Sequence, residues 1–389
     1  MPVPYRESVV LAPASVLQAG KLDQLNQILF DRGLGRPLRR PEPTAPGAGG
    51  HEMAVLPLAG AADPMAVRAA VRREASERGV DLPELSPDIL YSAGTVEDNA
   101  VTREFAASGK KTGHGLVAWL PAPSYEMADA PPWRPVPRRP VIALLDTGVQ
   151  PHNWLPAPAG GQPFWVDATE AYGWQPPVAV PAPDPGQDDP DLGSHWGHAT
   201  FLAGLIRLAG PDVQILSMRV MSSTGKVSEQ NVVAALDWLA GHTGGARADV
   251  VLMAFGRRAD AGDADLASVR QALLRMSDLG VRVVASAGNQ GAEQGCERPV
   301  YPAAYATDPE LSVVSVGART SATERAPYSN YGVWVREWAA GTNVISIMPL
   351  LTKQTAGDGY AWWSGTSFAA AAHAGALAQQ VMHEDWPGR

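Results

Sequence analysis

Three short stretches of the chain place a carboxylate, an imidazole and a hydroxyl in an order that chemistry can use. Asp146-Thr-Gly follows the apolar run 141–145, so its carboxylate sits at the end of a predicted strand. Gly197-His-Ala-Thr-Phe-Leu-Ala-Gly204 puts His198 in the first turn of a predicted helix, and Gly365-Thr-Ser-Phe-Ala369 puts Ser367 near the start of another. A serine hydroxyl is a poor nucleophile near neutral pH unless a base removes its proton. An imidazole, with an unperturbed pKa of about 6.5, can do so when a carboxylate orients it and stabilises its cation. A fourth stretch, Val283-Val-Ala-Ser-Ala-Gly-Asn289, reads as a buried strand ending in an amide. With the backbone N–H of Ser367, that amide could hold the oxyanion of a tetrahedral intermediate. Losing one such donor costs roughly 2.7–4 kcal/mol of transition-state stabilisation.

The elements that must position these groups are legible as an alternation. The run 141–145 is continuously apolar, as expected of a strand buried on both faces, and 213–220, 250–254 and 281–285 repeat that character. Between them, Val232, Val233, Leu236 and Leu239 fall on one helical face, as do Leu266, Val269, Leu273 and Met276, with Gly280 as a stop. Such βαβα units predict a parallel sheet covered by helices, whose active sites collect at the carboxyl ends of strands. Upstream, 8–11 and 53–58 read as strands, 22–34 and 65–78 as amphipathic helices, and 115–120 as a last strand. Residues 36–50, rich in Pro, Gly and Arg, read as a loop. Two proline-rich stretches, 121–140 and 156–190, cannot sustain a helix or central strand; the first reads as a linker and the second as a surface insertion.

With those motifs in hand, the region from about Val141 to the C-terminus resembles the catalytic domain of the subtilases, the subtilisin-like serine proteases. The resemblance rests on DTGV at Asp146, GHATFLAG at His198, SAGNQG around Asn289 and GTSFA at Ser367, in that order. Weaker echoes are Met253-Ala-Phe-Gly256, Val300-Tyr-Pro302 and Tyr328-Ser-Asn-Tyr-Gly332. It implies an α/β fold: a subtilisin-like three-layer αβα domain with a mainly parallel sheet, preceded by a small α/β, propeptide-like domain. The implied organisation is an N-terminal domain over residues 1–121, a linker over 122–140 and a peptidase domain over 141–389. The implied activity is hydrolysis of peptide bonds through an acyl-enzyme. Ser367 is the nucleophile, His198 the base, Asp146 its orienting carboxylate and Asn289 an oxyanion donor. Peptide binding is implied at Ala254, Phe255, Gly256 and Val300, by strand addition. Val300 is bulkier than the small residue usual at that pocket floor, which predicts smaller or medium side chains before the cleaved bond. Catalysis needs no cofactor or metal on this reading, and a structural calcium is the one ion the resemblance allows. The N-terminal domain is expected to contact the cleft.

Blander readings stand beside these. Asp-Thr-Gly also marks aspartic proteases, but those need two aspartates sharing a proton, and the motif occurs once here. His195, three residues before His198, has no second ligand at metal spacing and reads as a surface or supporting residue. His373 follows Ser367 on the same helix and reads as packing. Asp188, Asp189 and Asp191 could hold calcium but read first as a solvated loop. Cys296 reads as structural. Ala199 stands where the family usually has glycine and Ala371 where a proline is common, which frames an alternative: a catalytically impaired, peptide-binding pseudoenzyme.

Composition narrows the classes further. Of 389 residues, 45% are hydrophobic and 18% charged, which excludes a wholly disordered chain. A net charge of −9 argues against a nucleic-acid partner, and a single cysteine excludes an intrachain disulfide. No apolar run of membrane-spanning length occurs, so no membrane association is expected. Glu7, Pro2 and Pro4 do not fit the opening of a secretory signal. The expectation is a cytoplasmic protein, or a secreted one if a signal has been removed.

Overall fold

A computed structural model of the chain describes residues 5–18, 20–41, 53–60, 62–92, 118–120, 138–155, 163–180, 195–242, 247–258, 267–291, 297–349 and 359–385. The acidic run at Asp188, Asp189 and Asp191, Cys296, and most of the proline-rich stretches lie outside these residues.

The N-terminal part comprises β1 (Tyr5–Pro13), α1 (Lys21–Asp31), β2 (Met53–Pro57), α2 (Pro64–Arg78) and β3 (Ser86–Ser92). β1 lies at the centre, antiparallel to both β2 and β3. Its alternate residues Val10 and Ala12 pack with Leu25 and Leu29 of α1 and Val67 and Val71 of α2. α2 begins where its sequence says it must: Asp63 accepts the N–H groups of Met65 and Ala66, Pro64 occupies the first turn, and Gly79 closes the helix at φ 61°. α1 stops at Asp31, short of the expected Leu34. Gly33 takes a φ of 79° there, and the N–H of Leu34 turns back to the Leu29 carbonyl at 2.9 Å. Of the expected strand at 115–120, β4 (Ala118–Leu120) is the described part.

Then follow β5 (Val141–Asp146), β6 (Trp165–Asp167), α3 (Ala168–Tyr172), α4 (His198–Ala209), β7 (Gln214–Arg219), β8 (Lys226–Ser228), α5 (Glu229–Gly241) and β9 (Val250–Met253). The chain continues through β10 (Arg257–Arg258), α6 (Ala267–Asp278), β11 (Arg282–Ser286), β12 (Val300–Tyr301) and β13 (Val313–Arg319). It closes with β14 (Glu337–Ala340), β15 (Val344–Ile347), β16 (Tyr360–Trp363) and α7 (Thr366–Asp385).

Seven of these strands form one parallel sheet in the order β14-β13-β11-β9-β5-β7-β6. β5 explains why the run 141–145 had to be apolar throughout. Ile142 and Leu144 enter a core shared with α4 and α7, while Val141, Ala143 and Leu145 enter the opposite core with α5 and α6. The result is three layers. Each fully buried Val or Leu contributes about 1.5–3 kcal/mol, enough to hold helices that propensity alone would leave marginal. Order along the sheet reverses at β5, and in open α/β sheets the ligand crevice lies outside the carboxyl end of such a strand. Gly204 of α4 permits the closest approach of that layer: a Cβ there would lie 2.2 Å from Ser346 Oγ and 2.8 Å from Ile347 Cγ1 of β15.

Three smaller pairings complete the fold. β10 is antiparallel to β12. β16 is flanked by β15 and by β4, antiparallel to both. β3 is antiparallel to β8, with Tyr91 opposite Val227, and so carries the N-terminal sheet onto the segment that leads into α5. Sequence patterning had not marked β3; Pro87 lies inside it.

Candidate active site

Asp146 is the last residue of β5, fully buried, and its carboxylate faces the first turn of α4. His198 Nδ1 donates to Asp146 Oδ1 at 2.9 Å and lies 3.0 Å from Oδ2. Oδ1 also accepts the N–H of Thr147 at 2.8 Å, so the carboxylate is held from two directions. The next residue of the motif serves the helix: Thr147 Oγ1 accepts the N–H of Ala199 at 3.1 Å. That bond satisfies one of the donors a helix start leaves open. Asp-Thr-Gly therefore both orients the imidazole and fixes the helix that carries it. Ala199, the departure from the family's glycine, is buried within this turn.

His198 is enclosed by aromatic rings. Trp363 meets it edge-on, with centroids 5.5 Å apart at 83°, and Phe368 lies 5.6 Å away at 49°. Both rings flank the Ser367 turn, the first at the end of β16 and the second one residue after the serine. His195, expected on the surface or in support, is buried, with its ring 5.4 Å from that of His198. A surface position is thus corrected: Gly225, at φ 78°, has no Cβ, and one there would lie 2.4 Å from His195 Nδ1.

Ser367 stands in the first turn of α7, where the early backbone N–H groups have no intrahelical acceptor. Its hydroxyl donates to the Ala254 carbonyl at 3.1 Å, just beyond β9. The resting hydroxyl is therefore parked on the backbone of the expected peptide-binding segment. Catalytic hydrogen bonds of unliganded sites commonly tighten only when substrate is bound. Ala371 is buried in the helix core, so the departure from proline leaves α7 continuous.

Asn289 follows β11, and its orientation is settled by obligate donors. Its Oδ1 accepts from the Thr366 N–H and from Thr366 Oγ1, both at 2.9 Å. The amide NH₂ is consequently the end turned away from those contacts. Thr366 Oγ1 in turn accepts the N–H of Gly288 at 3.0 Å. Gly288 adopts φ +93°, and a Cβ on it would lie 2.6 Å from Asn330 Nδ2. Asn330 accepts the N–H of Gln290 at 3.0 Å and donates to the Ala287 carbonyl at 2.9 Å. Thr366 and Asn330 hold the Asn289 loop and were passed over by sequence reasoning, although both lie inside quoted motifs.

The expected peptide-binding residues also come together. Ala254 and Phe255 are buried, and β10 begins directly after Gly256. A Cβ on Gly256 would lie 2.5 Å from Val300 Cγ1 and 3.0 Å from the Tyr301 carbonyl oxygen. Val300 thus fills the space next to Gly256. His373 is half-buried on α7, and its burial lowers its pKa. Among the described residues, no cluster of three His, Cys, Asp or Glu could hold a metal ion, and no helix is long and apolar enough to cross a membrane.

A parallel sheet with a buried Asp–His pair at its reversal point, a serine at a helix start and an asparagine just beyond a strand end defines a class: three-layer α/β proteins with a serine-centred site. Residues 138–387 match the model of the subtilase family. The chain belongs to the subtilase family. Among its relatives, minor extracellular protease Epr of Bacillus subtilis (strain 168) is 28% identical over 81% of this chain and 43% of its own length. Alkaline elastase YaB of Bacillus sp. (strain YaB) is 28% identical over 61% of this chain and 53% of its own length. An alkaline protease of Shouchella clausii is 30% identical over 78% of this chain and 67% of its own length. The chain thus spans about half the length of the first two.

Proposed function

We propose that the protein is a serine endopeptidase that hydrolyses peptide bonds through an acyl-enzyme. The observation that carries this reading is the buried Asp146–His198 pair at 2.9 Å, beside a serine at a helix start and an asparagine oriented by Thr366. Ser367 Oγ leaves Ala254 and passes its proton to His198 Nε2 as it attacks the carbonyl carbon. Asp146 keeps Nδ1 protonated and stabilises the imidazolium. The Asn289 NH₂ and the Ser367 N–H hold the oxyanion. His198 then returns the proton to the leaving amine, and a water molecule repeats the sequence to release the acyl group.

Asn289→Ala tests the oxyanion role. It is expected to lower kcat by roughly 10²–10³ with little change in KM in steady-state hydrolysis of a peptide substrate. A normal kcat with a raised KM would move Asn289 out of the reacting centre.

Val300 is proposed to shorten the pocket for the side chain before the cleaved bond. Val300→Gly should shift preference toward larger side chains in a peptide library, and an unchanged profile would refute it. The N-terminal residues 1–121 are proposed to be a separable domain with a propeptide-like role, joined by 122–140 to the peptidase domain at 141–389. The pairing of β3 with β8, and of β4 with β16, which runs into Thr366 and Ser367, supports contact with the cleft. A secreted location is favoured by the name of the Bacillus subtilis relative, an extracellular protease. Fractionation of producing cells tests that. Calcium is proposed as a structural ion only, checked by whether chelation lowers Tm before it lowers activity.

A further inference from the structure

The seam between the N-terminal sheet and the rest of the protein contains a carboxyl group that the chemistry above does not use. Glu229, the first residue of α5, is 1% exposed. Its Oε1 is bonded by the hydroxyl of Ser268 on α6. Its Oε2 is buried and has no hydrogen-bond partner among the described residues. Immediately beside it, Asp88 of β3 accepts the N–H of Gln230 at 3.1 Å and pairs with Arg6 of β1 at 3.0 Å. Arg6 also reaches Gln230 Oε1 at 3.3 Å. The seam thus brings one N-terminal carboxylate against the same helix start that carries Glu229.

A buried carboxylate with one oxygen lacking a donor is costly when ionised and well accommodated when that oxygen carries a proton. We propose that Glu229 is a proton-binding site of the seam, and that docking of the N-terminal part on β8 and α5 takes up a proton there. The groups facing it are Asp88 of β3 and Arg68 of α2 from the N-terminal side, and Arg257 of β10 and Ser268 of α6 from the other side. Tyr305, in the short turn after β12, senses Glu229 and Arg257 as well. Burial, with a smaller contribution from Asp88, pushes the Glu229 carboxyl up from 4.5 to about 7, against the pull of Ser268, Arg257 and Arg68. Burial raises Asp88 too, so it acts in the same sense from a lower starting value.

The direction follows from proton counting. The docked state binds the proton and the undocked state, with Glu229 in water, releases it. Docking is therefore strongest below the ordinary carboxyl value, weakens by up to about tenfold per pH unit above it, and levels off once pH has passed about 7. Alkaline conditions loosen the N-terminal part, and acid holds it in place.

The test uses the full chain with Ser367→Ala, to prevent self-cleavage, and Cys296→Ser. A donor–acceptor dye pair is placed at Val80→Cys and Leu279→Cys, both exposed positions on opposite sides of the seam. Urea titrations at pH 5.5 to 8 read the midpoint at which the dyes separate. The expected result is a midpoint that falls as pH rises from 5.5 toward 7 and levels off above it, and a Glu229→Gln chain in which this fall is lost. A parent chain without the fall, or a Glu229→Gln chain that keeps it, overturns the proposal. Should Glu229→Gln fail to fold, the infrared band of a protonated carboxyl in the parent decides. Its presence at pH 6 and loss as pH rises past 7 supports the site, and its absence at pH 6 overturns it. These readouts follow docking and not cleavage, so they stand apart from the peptidase reading.

Discussion

Ser367→Ala is expected to lower peptide hydrolysis by about 10⁶-fold in kcat, the size that removing the nucleophile takes in a subtilisin. The neighbouring hydroxyl, Thr366 Oγ1, is engaged instead by Asn289 and Gly288. The fold should persist. The serine side chain makes one hydrogen bond, to the Ala254 carbonyl, whose loss costs about 1–3 kcal/mol. Circular dichroism and Tm check that point while steady-state kinetics measures the loss. The same variant bears on the N-terminal part. Intact mass should show the Ser367→Ala chain at full length and the wild type shortened near the proline-rich stretch. Equal masses would remove the propeptide part of the proposal, and unchanged turnover in a preparation free of contaminating protease would remove Ser367 as nucleophile.

The second large effect is expected from Asp146→Asn, a loss of about 10⁴-fold in kcat with the geometry nearly unchanged. The surroundings dictate how the amide must sit. Thr147 N–H is a fixed donor 2.8 Å from Oδ1, so the asparagine oxygen has to stay there. Its NH₂ then occupies the place of Oδ2, which is 3.0 Å from His198 Nδ1. The NH₂ repels the Nδ1 proton at that distance, so the tautomer that accepts there, with its proton on Nε2 where the base is needed, gains over the one that donates to the oxygen at 2.9 Å. Nitrogen NMR of the imidazole should report that exchange of tautomers alongside the kinetic loss. An Asp146→Asn variant with near-normal kcat would mean that the carboxylate only packs.

The candidate reacting groups were legible because each is announced by its immediate neighbours. Asp146 ends a run whose unbroken apolarity requires burial on both faces, and Thr147 caps the helix that starts at His198. Gly288 must be glycine for the loop that turns Asn289 toward Thr366. The residues that sequence reading missed owe their roles to partners far along the chain. Trp363 reaches His198 across 165 positions of intervening fold, and Asn330 is separated from Gln290 by 40. β3 was hidden because its strand character comes from β1 and β8, neither of which is local, and its proline argues against a strand. The early end of α1 was a matter of backbone sign at Gly33, which apolar periodicity does not encode.

The central claim is that Ser367 is a nucleophile activated by His198, and covalent trapping reads it most directly. A fluorophosphonate probe should add one equivalent to the folded chain, and peptide mapping should find the adduct on Ser367. The adduct should be missing in Ser367→Ala and strongly slowed in His198→Ala. A correctly folded wild-type chain that takes up no probe, or that carries it on another residue, would contradict the account and leave a peptide-binding pseudoenzyme in its place.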